Sequence, residues 1–305
     1  MRKRRIIIDT DPGHDDALAI ILLEKSGLFD VRAITTVAGN STIENTTNNA
    51  RYILDLLDSV TPIFSGAAAP LQRELIRADV HGESGLAGAD IKKSEPLSGN
   101  AADKIVEIVK TYPGEITILA LGPLTNLARA FQKDETIVPM IQEVVMMGGA
   151  IAVPGNKNRV AEFNIFVDPD AANIVFRAAV PKVLMPLDVC NHIFFTLKKF
   201  DELKNTNLYK PIKDMMIHYI QGVLRFEKIE AAIMYDPLAA YYLINSNAFT
   251  AELMDVQVET QSELTRGMTV ADRRIWGEKH PNVTVVLSAD RNLFIRDFLK
   301  ILKRD

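Results

Sequence analysis

The sequence of 305 residues contains one cysteine, Cys190, and no long hydrophobic run. A single cysteine forms no intrachain disulfide and excludes zinc sites built from several cysteines. No uncharged apolar stretch reaches the roughly 18 residues that a membrane-spanning helix requires. The basic residues 2–5 are followed by only three isoleucines before Asp9, too few for the apolar region of a secretory signal. These features predict a soluble, cytoplasmic protein.

The chain also has no large excess of charge of one sign. Its 35 Lys and Arg residues nearly balance 39 Asp and Glu residues, and the formal net charge is −4. This balance argues against nucleic acid or a membrane surface as a partner. With 48% hydrophobic and 24% charged residues, the chain has enough apolar material for a large core and is not typical of disordered proteins.

Short apolar segments rich in β-branched residues alternate with segments of helical periodicity. The predicted strands are 6–8, 31–37, 116–121, 144–147, 183–187, 256–258 and 283–287, and the predicted helices include 17–23, 43–57, 101–109, 208–232 and 292–302. Strands that are apolar throughout are typical of parallel sheets covered by helices on both faces. We predict an α/β fold with an open, mainly parallel sheet flanked by helices and a Rossmann-like core. No linker divides the chain, so residues 1–305 are expected to form a single domain.

Polar residues follow several of the predicted strands. Asp9 follows the first strand, Asn40 the second and Asp188 the fifth. Ligands of open parallel sheets bind outside the carboxyl ends of the strands. The binding site is therefore expected at this edge of the sheet.

The most distinctive segment is an acidic turn after the first strand, with the sequence DTDPGHDDA at 9–17. Four carboxylates in eight positions would repel one another by roughly 4 kcal/mol per close pair at an effective dielectric constant near 20. Helix capping explains one or two aspartates but not four. A bound cation would relieve the repulsion, and the hard oxygen ligands favour calcium or magnesium.

This acidic turn resembles the signature of the nucleoside hydrolases, the inosine/uridine-preferring N-ribohydrolases. Further matching segments occur in the family's order along nearly the whole chain. They are TTVAGN at 35–40, HGESG at 81–85, GPLTN at 122–126, MMGG at 146–149, AEFNI at 161–165, DP at 168–169, DP at 236–237 and GMTVAD at 267–272.

The resemblance implies a calcium ion and a reaction. The ligands would be the carboxylates of Asp11, Asp16 and Asp236 and the backbone carbonyl of Thr125, leaving room for the ribose hydroxyls and a water. Asp15 would be the general base that takes a proton from this water. The implied reaction is calcium-dependent hydrolysis of the N-glycosidic bond of ribonucleosides, which gives ribose and a free base. Family members are often dimers or tetramers, so a homodimer or homotetramer is expected.

The resemblance also implies residues that bind the ribose hydroxyls, namely Asn40, Asn156, Glu162 and Asn164. Their amide and carboxylate groups suit a diol and a 5′-hydroxyl. Turn formation alone would explain Asn156, which lies in PGNKN at 154–158. Glu162 and Asn164 are two positions apart and would share one face of an extended segment.

Two residues are expected near the nucleobase, and both have a simpler alternative. His81 matches a family position beside the base, but it could be an ordinary exposed loop histidine. Tyr235 stands where many members have a histidine that protonates the departing base. Tyrosine is a weaker acid than an imidazolium, and it could simply pack beside Asp236. We predict catalytic roles for both residues, with His192 as another possible proton donor.

Two other functions fit parts of the sequence. Aspartyl-phosphate phosphatases also place Asp-x-Asp after a first strand, as Asp9 and Asp11 do here, but the paired Asp15 and Asp16 do not fit that class. A calcium-dependent nucleoside-binding protein would retain the metal ligands but would not need a general base at Asp15. The prediction of a nucleoside hydrolase accounts both for the metal ligands and for a general base at Asp15.

Overall fold

A computed structural model of the chain describes residues 3–92 and 99–304. The strands in these residues are β1 (Arg4–Thr10), β2 (Phe29–Thr36), β3 (Ile63–Ser65), β4 (Ile116–Ala120), β5 (Ile141–Met147), β6 (Lys182–Met185), β7 (Phe194–Phe195), β8 (Ala232–Ile233), β9 (Phe249–Met254), β10 (Val256–Val258), β11 (Thr269–Ala271) and β12 (Val283–Ala289). The α-helices are α1 (His14–Ser26), α2 (Ile43–Asp55), α3 (Ala101–Thr111), α4 (Thr125–Lys133), α5 (Phe163–Val167), α6 (Pro169–Arg177), α7 (Leu187–Cys190), α8 (Leu197–Phe200), α9 (Tyr209–Glu227), α10 (Tyr235–Ile244) and α11 (Arg291–Leu302).

Eight of these strands form one sheet in the order β3-β2-β1-β4-β5-β6-β12-β9. All neighbouring pairs are parallel except β12 and β9, which run antiparallel at one edge. The sheet takes strands from both ends of the chain. The predicted α/β fold with an open, mainly parallel sheet is confirmed.

The central strand β1 contributes to hydrophobic cores on both faces of the sheet. Ile6 and Ile8 belong to one core, Ile7 belongs to the other, and all three are fully buried. Because side chains alternate across a strand, an apolar run of this kind is stable only when both faces are covered. Helices α1 and α10 pack together over one face, and both are buried along most of their length. Their packing brings the acidic turn close to the start of α10.

Several element boundaries differ from the sequence prediction. The strand predicted at 183–187 ends at Met185, because Pro186 precedes α7 in an extended conformation. The helix predicted at 208–232 ends at Glu227, where Lys228 adopts a left-handed conformation with φ of 63°. The edge strands β3 and β9 were not predicted. Among the residues described, no helix has the length and apolar character needed to cross a membrane.

Candidate active site

A cavity of about 240 Å³ lies at the carboxyl ends of the central strands. It is lined by Asp15, Asn40, Ala78, Asp79, Val80, His81, Leu121, Met147, Asn156, Lys157, Glu162, Phe163, Asn164, Tyr219, Phe226, Glu227, Tyr235 and Asp236. The lining includes every residue predicted to act in catalysis or to bind ribose. Of the predicted metal ligands, Asp236 lines the cavity, whereas Asp11, Asp16 and Thr125 are buried and absent from its lining.

The acidic turn folds into the first turn of α1. Gly13 is the N-terminal cap, and its amide donates to Asp16 Oδ2 at 2.9 Å. The hydroxyl of Thr10 donates to the other oxygen of Asp16. Asp15 and Asp16 are thus held at a helix N-terminus, where backbone amide groups without a partner inside the helix, together with the helix dipole, favour negative charge.

Helix packing brings a third carboxylate to this pair. Asp15, Asp16 and Asp236 each provide an oxygen atom, and these atoms all lie within 4.8 Å of one another. Asp236 is in the first turn of α10, which packs against α1. The sequence places Asp236 more than 200 residues from the acidic turn, so this proximity is created entirely by the tertiary fold.

Asp11 is joined to the same group through Asn40. The backbone amide of Asn40 donates to Asp11 Oδ2 at 2.7 Å, and the side-chain Nδ2 of Asn40 donates to Asp16 Oδ2 at 3.1 Å. Gly122 packs directly against Asp11, because a Cβ atom at this glycine would lie 2.4 Å from Asp11 Oδ1. The loop after β4, which leads to Thr125, therefore touches the acidic turn.

The electrostatics of the four aspartates indicate a missing positive charge. Burial raises the pKa of each carboxyl, and the charge of Asp16 further raises the pKa of Asp11, Asp15 and Asp236. Asp11 Oδ1 and Asp15 Oδ1 are buried without a hydrogen-bond partner. Buried charges are normally paired or coordinate a metal. The all-oxygen donor set fits a hard cation such as calcium.

A layer of hydrogen bonds supports this arrangement from behind. Asp9 Oδ1 accepts from Thr35 Oγ1 at 2.6 Å and from Asn126 Nδ2 at 2.8 Å. Thr125 Oγ1 donates to Asp168 Oδ2 at 2.7 Å, so its side chain points to a structural partner. A role for Thr125 as a ligand would therefore use its backbone carbonyl.

Glu162 and Asn164 both line the cavity, but the expected extended segment is wrong. Glu162 caps the short helix α5, and its carboxylate accepts from the backbone amides of Asn164 at 2.9 Å and Ile165 at 3.2 Å. Asn164 Nδ2 donates to the carbonyl of Leu121 at 2.7 Å. Asn156 Oδ1 accepts from the backbone amide of Phe163 at 2.9 Å, which is seven residues along the chain and outside any local turn, and Asn156 also lines the cavity.

Three stacked rings lie beside the cavity, and two of them, His81 and Tyr219, line it. The ring centroids of His14, His81 and Tyr219 lie 5.2–5.4 Å from one another with nearly parallel planes. The two histidines share one hydrogen bond between their Nδ1 atoms at 2.9 Å, and His81 Nε2 lies 3.8 Å from Asp15 Oδ1. Burial lowers the pKa of both, that of His14 to about 4, so the pair is neutral at neutral pH. His81 is buried and is not an ordinary exposed loop residue.

The structure also shows a cavity residue that no motif indicated. Glu227, the last residue of α9, lies in the lining, and its Oε2 accepts from the Tyr235 hydroxyl at 3.0 Å. Tyr219 and Phe226 on the same helix complete this side of the cavity. His192, which the sequence left as another possible proton donor, is exposed and outside the lining.

We expect Glu162 to make stability fall as the pH rises. Burial raises its pKa from 4.5 to about 7. The folded state therefore holds this proton more tightly than the unfolded state, which adds stability below pH 4.5 that is lost as the pH rises through 7. For wild type relative to Glu162→Gln, the free energy of unfolding should fall by about 3 kcal/mol over this window. Urea denaturation of both proteins at several pH values measures the two free energies of unfolding. A difference between them that does not change with pH would contradict the prediction.

Comparison with known proteins identifies the family. A family model described as inosine-uridine preferring nucleoside hydrolase matches residues 6–296. The pyrimidine-specific ribonucleoside hydrolase RihA of Salmonella typhimurium is 38% identical over 302 residues, which cover 95% of each chain. RihA of Shewanella sp. strain ANA-3 is 38% identical over 301 residues, which cover 96% of this chain and 94% of that protein.

Solved structures agree with this match. The plant nucleoside hydrolase PpNRh1 superposes with a TM-score of 0.93 at 30% identity, with full coverage of both chains. A purine-preferring ribonucleoside hydrolase from Gardnerella vaginalis gives a TM-score of 0.92 at 29% identity, with 98% of each chain covered. These matches leave no support for the phosphatase alternative. The chain belongs to the inosine-uridine preferring nucleoside hydrolase family and is an enzyme of the ribonucleoside hydrolase class.

Proposed function

We propose that the protein hydrolyses the N-glycosidic bond of ribonucleosides in a calcium-dependent reaction, with pyrimidine ribonucleosides among its substrates. The observation that carries this proposal is the group of buried carboxylates beside a cavity lined by Asn40, Glu162 and Asn164. The pyrimidine-specific relatives support the choice of base. The products, ribose and a free base, would enter nucleoside catabolism and base salvage.

The residues that would hold calcium are Asp11, Asp16 and Asp236, together with the carbonyl of Thr125. When bound, the ion supplies positive charge that orients the ribose diol and polarises the attacking water. The unpartnered Oδ1 of Asp11 supports its assignment as a ligand. The carboxylates of Asp15, Asp16 and Asp236 lie close enough together to share one ion. Distance alone therefore does not separate the proposed general base, Asp15, from the proposed ligands.

Asp15 would act as the general base. It lines the cavity in which the substrate would bind, and its Oδ1 has no hydrogen-bond partner, so this oxygen is available to take a proton from water. The water would attack C1′ of the ribose while the bond to the base breaks, as in glycoside hydrolysis through an oxocarbenium-like transition state. Two residues on the base side, His81 and Tyr235, would contact the departing base.

The ribose would be bound by the amide and carboxylate groups around the cavity. Asn40 is fixed by its bonds to Asp11 and Asp16, and Asn164 is fixed by its bond to the carbonyl of Leu121. Side chains held in this way are preorganised, so little entropy is lost when they bind the hydroxyl groups. Glu162 and Asn156 extend this polar surface along the cavity.

The experiment that tests this function is a screen for release of free base. Uridine, cytidine, inosine, adenosine and guanosine are incubated with the protein and calcium, and the products are separated chromatographically. We expect free base from uridine or cytidine. Binding of nucleosides without release of any base would contradict hydrolysis and favour the calcium-dependent binding protein. Release from purine nucleosides alone would contradict the proposed pyrimidine substrates.

A further inference from the structure

We propose that Glu227 is the catalytic acid that gives a proton to the departing nucleobase, and that Tyr235 is a positioning residue that orients Glu227. This inference rests on the proposed hydrolysis of ribonucleosides and assigns a residue to one of its steps. The geometry that points to it is the hydrogen bond from Tyr235 to Glu227 within the cavity lining.

The Tyr235 hydroxyl carries a single hydrogen, and its direction decides what this residue can do. The hydroxyl donates to Glu227 Oε2 at 3.0 Å, so its only proton points toward the carboxyl group. A hydroxyl used in this way is not free to donate to a base at the same time. The proton must therefore come from another group on this side of the cavity.

The two carboxyl oxygens of Glu227 can take different roles. The hydrogen bond from Tyr235 occupies Oε2, which suits the carbonyl oxygen of a neutral carboxylic acid. The acidic proton is then on Oε1, which remains for the ligand. Burial raises the pKa of Glu227 from its usual value, which favours this protonated form.

The side chains around Glu227 also favour this assignment. Tyr219 and Phe226 lie on the same helix and line the same cavity, and their rings suit the flat face of a nucleobase. The Tyr219 hydroxyl donates to the carbonyl of Ile233 at 3.1 Å, so it too is occupied. His81 is held by His14 in a neutral pair. Glu227 thus places a carboxyl group beside these aromatic rings in the cavity lining.

The proposed step balances in atoms and charge. The C1′–N bond breaks, and its electron pair stays with the base, which takes the proton from Glu227. The water oxygen bonds to C1′, and one water proton passes to Asp15. After the products leave, exchange with solvent returns the proton to Glu227 and removes it from Asp15. Two carboxyl groups with opposite protonation states thus act on the two sides of the breaking bond.

The test compares a natural nucleoside with p-nitrophenyl riboside, whose leaving group needs no proton. Glu227→Gln should lower kcat/KM for uridine by roughly 10²-fold. For p-nitrophenyl riboside the loss should stay below about threefold, which also shows that the variant is folded. The matched control is Glu230→Gln, because Glu230 is exposed and outside the cavity lining. It should leave both reactions unchanged.

Tyr235→Phe separates a positioning residue from the acid. It should lower kcat/KM for uridine by only about tenfold, the scale of one hydrogen bond to a carboxyl group. Adding Tyr235→Phe to Glu227→Gln should cause little further loss of kcat/KM.

Equal losses on both substrates in Glu227→Gln would overturn the proposal. So would wild-type activity of Glu227→Gln with a large, uridine-selective loss in Tyr235→Phe. Wild type that cleaves p-nitrophenyl riboside but no nucleoside would instead overturn the proposed function.

Discussion

Asp15→Asn is expected to reduce turnover by roughly 10²–10⁴-fold while leaving calcium binding largely intact. Asparagine preserves the shape of the side chain but cannot take a proton from water. The Asp15 Oδ1 atom has no hydrogen-bond partner that this change would remove. Steady-state kinetics with uridine gives the loss of turnover, and calorimetric titration of the metal-free protein gives calcium affinity.

Asp16→Asn is the matched control, because it removes one charge from the adjacent residue of the same helix. Asp16 accepts hydrogen bonds from Thr10, Gly13 and Asn40, and we propose it as a ligand. This variant should bind calcium more weakly and regain activity as calcium is added. The opposite pattern, in which calcium rescues Asp15→Asn and not Asp16→Asn, would show that the two roles are exchanged.

A second large effect is expected from removal of a single oxygen atom of the substrate. The 2′-deoxynucleosides should be cleaved with kcat/KM lower by roughly 10⁴-fold than the ribonucleosides. Without the 2′-hydroxyl, buried polar groups of the ribose site would be left unpaired. Leaving such a group without a hydrogen bond costs more free energy than one hydrogen bond normally contributes. Paired assays of uridine and 2′-deoxyuridine measure the ratio. Inosine and 2′-deoxyinosine serve as the control for the base.

The discrimination should appear in kcat as well as in KM. If the diol helps to align C1′ with the attacking water, its loss affects the transition state more than the bound substrate. The inhibition constant of 2′-deoxyuridine against uridine cleavage measures the affinity for the deoxynucleoside separately from its turnover. Equal efficiency on both sugars would remove the diol from the proposed mechanism.

The sequence predicted the central sheet well, because buried parallel strands carry a strong local signal. Ile6, Ile7 and Ile8 could be read as a strand covered on both faces, and the structure confirms it. The edge strand β9 has mostly exposed side chains and no apolar run, so its position depends on pairing with β12. Long-range pairing of this kind leaves little local pattern.

The predicted site residues lie at the cavity or directly behind it, because their motifs are local and follow strand ends. Glu162 and Asn164 both line the cavity, but the extended segment predicted for them is wrong. Residues two positions apart can also be the cap of a helix and a residue of its first turn, as they are here. Glu227 had no signal, because it ends an amphipathic helix and meets Tyr235 only through the tertiary fold. Its role could be proposed only from the hydrogen bond.

The packing of α10 on α1 has a consequence for synthesis of the protein. Asp11 leaves the ribosome 225 residues before Asp236. At about 5–20 residues per second, roughly 10–45 s separate the two. During this interval the nascent chain has its acidic turn but lacks the carboxylate that completes the proposed ligand set. Full coordination of the proposed calcium ion would therefore be one of the last events of maturation, and it would follow the formation of the central strands instead of guiding it.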